Sequence, residues 1–221
     1  MARKSDKYKF IVKYFSEVQP DVESELNFGN AYELLVATML AAQCTDKRVN
    51  MVTPALFAAY PTVSDLAKAT EEEVLSYIKS VSYPNSKAKH LVQMAQMADS
   101  DFGGEIPCTM EELTKLPGVG RKTANVVLAF AFGEAAMPVD THVFRVSHRL
   151  GLVPDSAKTP DAVEKELVKH FPKEYISRAH HWLLLHGRYV CTARKPHCEG
   201  CALESICEEK RKREKDEKMK G

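Results

Sequence analysis

The sequence of 221 residues predicts an all-α fold. Three observations support this prediction: apolar residues recur at helical spacing along most of the chain, the segments between them are rich in Pro, Gly, Asp and Ser, and alternating strand patterns bounded by hairpin turns are absent. No apolar run approaches the roughly 20 residues that a membrane span needs, and no apolar core follows the basic N-terminal residues. We therefore expect a cytoplasmic protein.

Eight segments carry the helical pattern in chain order, and polar segments connect them. The helical segments are 31–43, 49–60, 71–81, 88–100, 124–132, 143–152, 161–171 and 177–190. The connecting segments are 60–65, 101–109, 132–140 and 152–160. A short helix is also expected over 109–116, because Thr109 and Glu112 form the Thr-x-x-Glu pattern of a capping box. The charged tail, 208–220, predicts a solvated helix.

The segment LPGVGRKTANVV, residues 116–127, places glycines, basic residues and a threonine before an apolar run. A nucleotide-binding P-loop is excluded, because that motif has glycine directly before its lysine and four residues between its two glycines. Here Arg121 precedes Lys122, and only Val119 separates the two glycines. The segment also follows a predicted helix, whereas a P-loop follows a strand.

The same segment predicts a helix, a tight turn and a second helix that begins near Arg121. Pro117 ends the first helix because it lacks an amide donor, and Gly118 and Gly120 permit backbone angles that a side chain would obstruct. Outward-facing amides beside the positive end of the second helix form an anion site suited to a DNA phosphate. The pattern resembles the helix-hairpin-helix motif of DNA repair proteins; an ordinary helical turn is the alternative.

Four of the six cysteines lie within residues 191–207, whereas Cys44 and Cys108 stand apart. The four follow the pattern C-x6-C-x2-C-x5-C and are Cys191, Cys198, Cys201 and Cys207. Closely spaced sulfur ligands suit zinc or an iron–sulfur cluster. Zinc ribbons have two separated C-x2-C pairs, whereas this segment has a single pair with longer arms, which favours a [4Fe–4S] cluster. Zinc and four unligated thiols are the alternatives.

Asp140 lies in the segment VDTHVFRV, directly before an amphipathic helix. Taken alone, this position predicts an N-cap, for which Asp is a preferred residue. Together with Lys122, eighteen residues earlier, the segment resembles the active-site pattern of the endonuclease III family, which consists of DNA glycosylases with AP lyase activity. The resemblance extends to MLAAQCTDKRVN, SYPNSKAKHL and HHWLLLHGRYVC, and to the four-cysteine segment.

The resemblance implies that Lys122 is the nucleophile, that Asp140 is the catalytic carboxylate and that the four cysteines bind a [4Fe–4S] cluster. It also implies two α-helical domains: a six-helix domain over residues 24–134, which contains the hairpin, and a cluster domain formed by residues 1–23 and 135–221. The active site is expected in the cleft between them. We expect a monomer that binds damaged double-stranded DNA.

The implied activity is that of a bifunctional enzyme, which releases oxidised pyrimidines and cuts abasic sites; residue chemistry alone does not select among damaged bases. Attack of the neutral Lys122 amine on C1′ would expel the base and leave a Schiff base, which permits β-elimination of the 3′ phosphate. Asp140 would take the lysine proton and stabilise charge on the sugar. The alternatives are a monofunctional adenine glycosylase, whose catalytic glutamate would fall near Ala37, and a non-catalytic helix-hairpin-helix DNA-binding module.

Two further segments are interpreted as DNA contacts. By the resemblance, Gln43 and the loop at Tyr83 fill the space left when a damaged nucleotide rotates out of the duplex, a step that this chemistry requires. Without the resemblance, Gln43 is a polar residue at a helix end and the loop at Tyr83 is an ordinary solvated loop. Bacterial relatives read Gly-Leu-Tyr-Asn where this chain has Ser-Tyr-Pro-Asn at 82–85, so the resemblance leaves the identity of the inserted residue open. Arg194 and Lys195 lie in a short basic loop between cysteines and are expected to contact phosphates.

Overall fold

The computed structural model describes residues 3–21 and 24–220, without the side chains of residues 217, 218 and 220. The described residues form helices and turns and contain no strand, which confirms the predicted all-α class. None of their helices is long and apolar enough to cross a membrane. The α-helices are α1 (Lys4–Val18), α2 (Ala31–Ala41), α3 (Asp46–Ala59), α4 (Val63–Ala67), α5 (Glu71–Ile78), α6 (Pro84–Phe102), α7 (Met110–Leu113), α8 (Arg121–Phe130), α9 (Thr141–Leu150), α10 (Pro160–His170), α11 (Ile176–Tyr189) and α12 (Glu208–Lys220).

The chain divides into two compact units. The central unit is the continuous segment Ser24–Glu134, which contains α2 to α8. The terminal unit combines Met1–Glu23 with Ala135–Gly221 and contains α1 and α9 to α12. The N-terminal helix therefore packs with the C-terminal part of the chain.

Helix α2 forms the core of the central unit because it is apolar on nearly all sides. Its residues without exposed surface are Leu34, Leu35, Val36, Ala37 and Leu40. Helices α3, α6 and α8 pack around α2, and α4 and α5 pack against α6. Since α2 ends at Ala41, the chain leaves this core directly before Gln43.

Helix α4 lies partly inside segment 60–65, which the sequence pattern predicts to be a connection. It forms because Thr62 accepts a hydrogen bond from the N–H of Asp65 and because Val63 and Leu66 are buried. Residues 24–134 are all described, and they form seven α-helices when the single-turn helix α7 is included. The resemblance predicts six helices for this unit.

Helix α7 is shorter than the helix predicted over 109–116. Thr109 accepts a hydrogen bond from the N–H of Glu112, as the capping pattern predicts. Beyond Leu113 the chain tightens into bonds between residues three apart, such as that from the N–H of Leu116 to the carbonyl oxygen of Leu113 at 3.2 Å. The helix therefore ends before the proline that was expected to stop it.

The core of the terminal unit is built around Trp182 of α11, which has no exposed surface. Its ring stacks on that of Phe15 of α1, with centroids 5.6 Å apart. Its Nε1 donates a hydrogen bond to the carbonyl oxygen of Gln19 at 3.0 Å. Helix α9 packs against α10, α11 and α12. These contacts hold the N-terminal helix against the elements that follow residue 135.

Lys7 connects three helices of the terminal unit. The residue is 1% exposed, and its Nζ donates to the carbonyl oxygen of Leu150 at 2.7 Å and to Oε1 of Glu208 at 2.5 Å. Leu150 ends α9, and Glu208 begins α12 directly after Cys207. Because a buried ammonium is tolerated only with such partners, Lys7 fixes α1, the end of α9 and the start of α12 together.

Candidate functional site

A tight turn precedes α8. The N–H of Val119 donates to the carbonyl oxygen of Leu116 at 3.1 Å. Pro117 and Gly118 occupy the two central positions, and Gly118 has a φ of +78°, as a type II turn requires at its third residue. A Cβ atom on Gly118 would lie 2.9 Å from Cβ of His90. Both the backbone angle and the packing therefore require glycine at this position.

Gly120 has φ −91° and ψ 172° at the start of α8. Any residue adopts these angles, so the prediction that Gly120 is needed for its backbone conformation is wrong. A Cβ atom there would meet no described heavy atom within 4 Å, so the space around Gly120 is open. The first turn of α8, which is fully described, contains no acidic residue, and Gly120 supplies no side-chain cap. An anion can therefore approach the amides at the positive end of this helix.

Lys122 lies in the first turn of α8, and its side chain is exposed. Other residues of the helix, Ala124, Val127 and Leu128, are buried, and α8 packs against α2. The buried face thus fixes α8 to the core of the central unit. The lysine is held at the surface, two residues beyond the open glycine.

Asp140 belongs to the terminal unit and caps α9, as its position predicts. Its Oδ1 accepts hydrogen bonds from the N–H of His142 at 2.9 Å and of Val143 at 2.8 Å. Both of these capping bonds go to the same carboxylate oxygen. Nδ1 of the buried His180 lies 2.7 Å from the carbonyl oxygen of Pro138, two residues before the aspartate. The backbone on both sides of this partly buried carboxylate is therefore fixed.

A cavity of about 230 Å³ lies where α2 ends, where α6 begins and beside the turn before α8. It brings together three residues that the sequence predicts as DNA contacts, namely Gln43, Tyr83 and Gly118. Sequence patterns missed Lys87 and His90, which also line it. The signal for them is their position four and seven residues after Tyr83, which places them on one face of α6.

Gln43 and Tyr83 are strained. Among the described residues, they are the two non-glycine residues with positive φ, at 54° and 55°. Such backbone conformations each cost about 1–3 kcal/mol and persist only where the surrounding structure imposes them, typically at functional sites. Both side chains are exposed, and that of Tyr83 is 66% exposed. Two strained residues thus present polar and aromatic side chains around one cavity.

The four cysteines of the C-terminal segment line one small cavity of about 30 Å³ in the terminal unit. Nη1 of Arg149 lies 3.3 Å from Sγ of Cys191, and Nε2 of His186 lies 3.8 Å from Sγ of Cys201. Burial raises the pKa of the thiols of Cys201 and Cys207. Within the described part of the chain, no set of three or more Cys, His, Asp or Glu side chains is arranged to hold a metal ion. The shared cavity therefore defines this candidate centre.

Arg149 also orders the loop that carries Arg194 and Lys195. Its Nη1 donates to the carbonyl oxygen of Thr192 at 2.7 Å, and its Nη2 donates to that of Ala193 at 2.9 Å. Arg194 and Lys195 follow this anchored segment and are exposed. Sequence reasoning missed Arg149, because a basic residue in the last turn of a helix is typical of many helix ends.

Comparison with known proteins identifies the class to which this fold and hairpin belong. Residues 36–173 match the family described as HhH-GPD superfamily base excision DNA repair protein, in which HhH denotes the helix-hairpin-helix. The chain is 46% identical over 198 residues to endonuclease III of Rickettsia felis, an alignment that covers 90% of this chain and 92% of that protein. It is 43% identical over 202 residues to endonuclease III of Escherichia coli, covering 91% and 95% of the two chains.

Solved structures agree with these relatives. A trapped endonuclease III–DNA covalent intermediate matches with a TM-score of 0.87 and 42% identity, over 97% of this chain and 100% of that chain. A non-covalent endonuclease III–DNA complex matches with the same values. The chain belongs to the endonuclease III family. This membership confirms the predicted family and the predicted enzyme class, a DNA glycosylase and AP lyase of base excision repair.

Proposed function

We propose that the protein releases oxidised pyrimidines from duplex DNA and cuts the strand at abasic sites, with Lys122 as the nucleophile. The observation that carries the proposal is the position of Lys122, which is exposed in the first turn of α8, two residues after Gly120, where the space is open. The turn would bind the DNA backbone while the lysine amine meets C1′ of a nucleotide rotated out of the duplex.

The proposed reaction is covalent catalysis. As the bond between Nζ of Lys122 and C1′ forms, the bond between C1′ and the base breaks, and the base leaves with the bonding electrons and takes up a proton. Opening of the sugar ring converts the adduct into a Schiff base. Loss of a C2′ proton then expels the 3′ phosphate, and hydrolysis of the Schiff base returns the lysine. These steps require no external oxidant or reductant.

Asp140 is the proposed proton acceptor for Lys122. Because Oδ1 is used to cap α9, we assign the proton transfer to Oδ2. The carboxylate would also stabilise the positive charge that develops on the sugar as the base departs. A carboxylate whose backbone is fixed on both sides suits this role, since it requires little reorganisation during the reaction.

The proposed DNA contacts divide into two groups. Gly118, Gly120 and Arg121 would bind a backbone phosphate at the start of α8, and Arg194 and Lys195 would bind further phosphates. These contacts position the protein on any duplex, because phosphates carry no sequence or damage information.

Gln43 and Tyr83 would enter the space left by the rotated nucleotide. Tyr83 has an exposed aromatic ring, which can stack on the neighbouring bases. Both residues line the same cavity, so that they can act on the duplex at one place.

For the four cysteines we propose a [4Fe–4S] cluster. Four thiols around one cavity supply the donor set that such a cluster requires. Cys191, Cys198, Cys201 and Cys207 would supply these four sulfur donors as thiolates. When bound, the cluster would supply structural stability to residues 191–207, while the protein's own side chains carry out base release and elimination.

The proposal is tested by measuring free base and strand cuts from a duplex with a single oxidised pyrimidine. Wild type should produce both, and Lys122→Gln should produce neither although it still binds the duplex. If wild type binds but releases no base and cuts no abasic site, a non-catalytic DNA-binding module becomes the better account. Release of undamaged adenine would favour an adenine glycosylase; against this alternative, the position assigned to its glutamate is the fully buried Ala37.

A further inference from the structure

Lys87 is a buried lysine of α6 that takes no part in the chemistry described above. The residue is 8% exposed, and its Nζ donates to the carbonyl oxygens of Leu40 and Ala42, both at 2.7 Å. These carbonyls lie at the C-terminal end of α2, where backbone acceptors lack partners within the helix. Lys87 therefore caps α2 from a neighbouring helix.

The backbone of Lys87 contacts Tyr83, one of the two strained residues at the cavity. Its N–H donates to the carbonyl oxygen of Tyr83 at 3.1 Å, in the first turn of α6. Ala42, which accepts from the side chain of Lys87, directly precedes Gln43. The backbone bond is the regular first-turn bond of α6, so the specific contribution of the lysine is its side chain, which joins the chain beside Gln43 to the first turn of α6 that follows Tyr83.

The burial of Lys87 is energetically unfavourable by itself. Burial lowers the pKa of its ammonium group, and the nearby Cys44 thiol opposes part of this shift. Two carbonyl acceptors compensate the buried charge, and they would lose their donor if the side chain were removed. The arrangement concentrates a buried charge and two strained residues, Gln43 and Tyr83, around a single cavity.

We infer that Lys87 is a positioning residue for the opening of the duplex: it holds Gln43 and Tyr83 in place so that both enter the DNA together. This inference rests on the proposed function of that site. Because the two residues are already ordered in the protein, their ordering does not have to be supplied when DNA binds.

Two substrates separate this role from a general structural role. A damaged base in a fully paired duplex has to be unstacked and unpaired before it reaches the enzyme. The same base in a mismatched bubble is already partly unstacked. A loss of positioning should therefore affect the paired substrate more strongly than the bubble, whereas a general loss of folded protein should affect both equally.

The experiment compares Lys87→Met with wild type and with a matched control, Lys89→Met, which removes an exposed lysine of the same helix. The measured quantity is kcat/KM for base release from an oxidised pyrimidine in each of the two duplexes. We expect Lys87→Met to lose roughly tenfold on the paired duplex and less than about twofold on the bubble. Lys89→Met should match wild type on both.

A second variant covers the case in which Lys87→Met does not fold. Lys87→Gln retains amide donors for the two carbonyls, and thermal unfolding followed by circular dichroism checks its fold. We expect it to show the same preference for the bubble, with a smaller loss on the paired duplex.

Duplex opening is also measured directly, by the fluorescence of 2-aminopurine placed beside the lesion, in proteins that carry Lys122→Gln and therefore do not react. Adding the Lys87 substitution should lower the fluorescence increase on binding.

Equal losses on the two substrates, or no loss on either, would overturn the inference about Lys87. An unchanged 2-aminopurine signal would do the same. These results are distinct from a failure of the proposed function, in which wild type itself releases no base from either substrate.

Discussion

At the scale of single residues, substitutions of the two glycines of the hairpin should have different effects on the stability of the fold and on DNA binding. Gly118→Ala should lower the free energy of unfolding by about 1–3 kcal/mol, because an L-residue is strained at positive φ. The added Cβ would also lie 2.9 Å from Cβ of His90. Gly120→Ala should change that free energy by less than about 0.5 kcal/mol, since its angles and surroundings accept a methyl group.

Gly120→Ala should nevertheless weaken binding to damaged and undamaged duplexes alike, because the methyl group covers the amides that we assign to a phosphate. Denaturant unfolding measures the stability of both variants, and fluorescence anisotropy at fixed salt concentration measures their affinity for DNA. Unchanged affinity of Gly120→Ala for undamaged DNA would contradict the phosphate site.

His181 makes the stability of the terminal unit depend on pH. It is 7% exposed, and burial lowers its pKa from 6.5 to about 4. As the pH falls below about 6.5, the unfolded chain takes up a proton that the folded chain does not, so folding loses stability until the pH reaches about 4. The contribution of His181 should therefore be present at pH 7 and largely lost at pH 4.

Urea unfolding of wild type and His181→Gln at pH 7 and pH 5 tests this contribution. Between pH 7 and pH 5, the free energy of unfolding of wild type should fall by about 1–2 kcal/mol more than that of the variant. The pKa of His186 is lowered in the same way, but that residue is present in both proteins and cancels in the comparison. The same pH dependence in both proteins would show that His181 remains neutral in the unfolded chain or charged in the folded one.

Residues that carry a recognisable motif could be predicted, whereas residues that act through tertiary contacts could not. Lys122 and Asp140 stand out by their neighbours in the sequence. Lys87 and Arg149 do not, because a single basic residue on a helix gives no local sign that it will be buried or bonded to a distant carbonyl. The sequence predicts special backbone angles at both Gly118 and Gly120, whereas of these two only Gly118 has a positive φ.

At the scale of helices, Lys7 should be a main determinant of how α1 binds to the terminal unit. Lys7→Met should lower the free energy of unfolding by roughly 2 kcal/mol, because buried carbonyls and Glu208 lose a charged donor. Lys4→Met is the matched control on the same helix. It removes a half-exposed pair with Glu166 and should cost less than about 1 kcal/mol. Equal effects of the two variants in denaturant unfolding would contradict this role for Lys7.

Long helices were predictable as elements, and short ones were not. The start of α8 at Arg121 agrees with the expected start, because a proline and two glycines interrupt the helical pattern directly before it. Helix α4 was missed, because a five-residue helix offers too few positions for a periodic pattern. Its formation depends on a cap and on burial against α6, and only the tertiary structure supplies that contact.

At the scale of the whole molecule, the proposed cluster concerns one of the two units. Protein purified without oxygen should be yellow-brown and contain about four iron and four sulfide per chain. Cys198→Ser should lose this iron, and hydrogen exchange should then show lower protection in residues 191–207. The core of the central unit, residues 24–134, should keep its protection, because its contacts are internal to that unit. Stoichiometric zinc without iron or sulfide would contradict the cluster.

The net charge of the whole molecule is only +1, so that DNA affinity has to come from local sites rather than from an overall positive charge. The hairpin, the strained pair Gln43 and Tyr83, and the loop at Arg194 are the sites that we assign. Their assignment rests on position and chemistry, and the reaction at Lys122 is the step on which all of it depends.

The most direct test of this account is whether Lys122 forms a Schiff base with DNA. Borohydride added during turnover on a duplex with a single abasic site reduces a Schiff base to a stable amine. We expect a covalent protein–DNA adduct, with the modified peptide mapping to Lys122 by mass spectrometry. Lys122→Gln should give no adduct although it binds the duplex. Asp140→Asn should form the adduct roughly 100-fold more slowly, because the lysine loses its proton acceptor. This variant should remain folded, because Asn still caps α9. Wild type that cuts the abasic site without giving an adduct, or an adduct that maps to another residue, would contradict the assignment of Lys122 as the nucleophile.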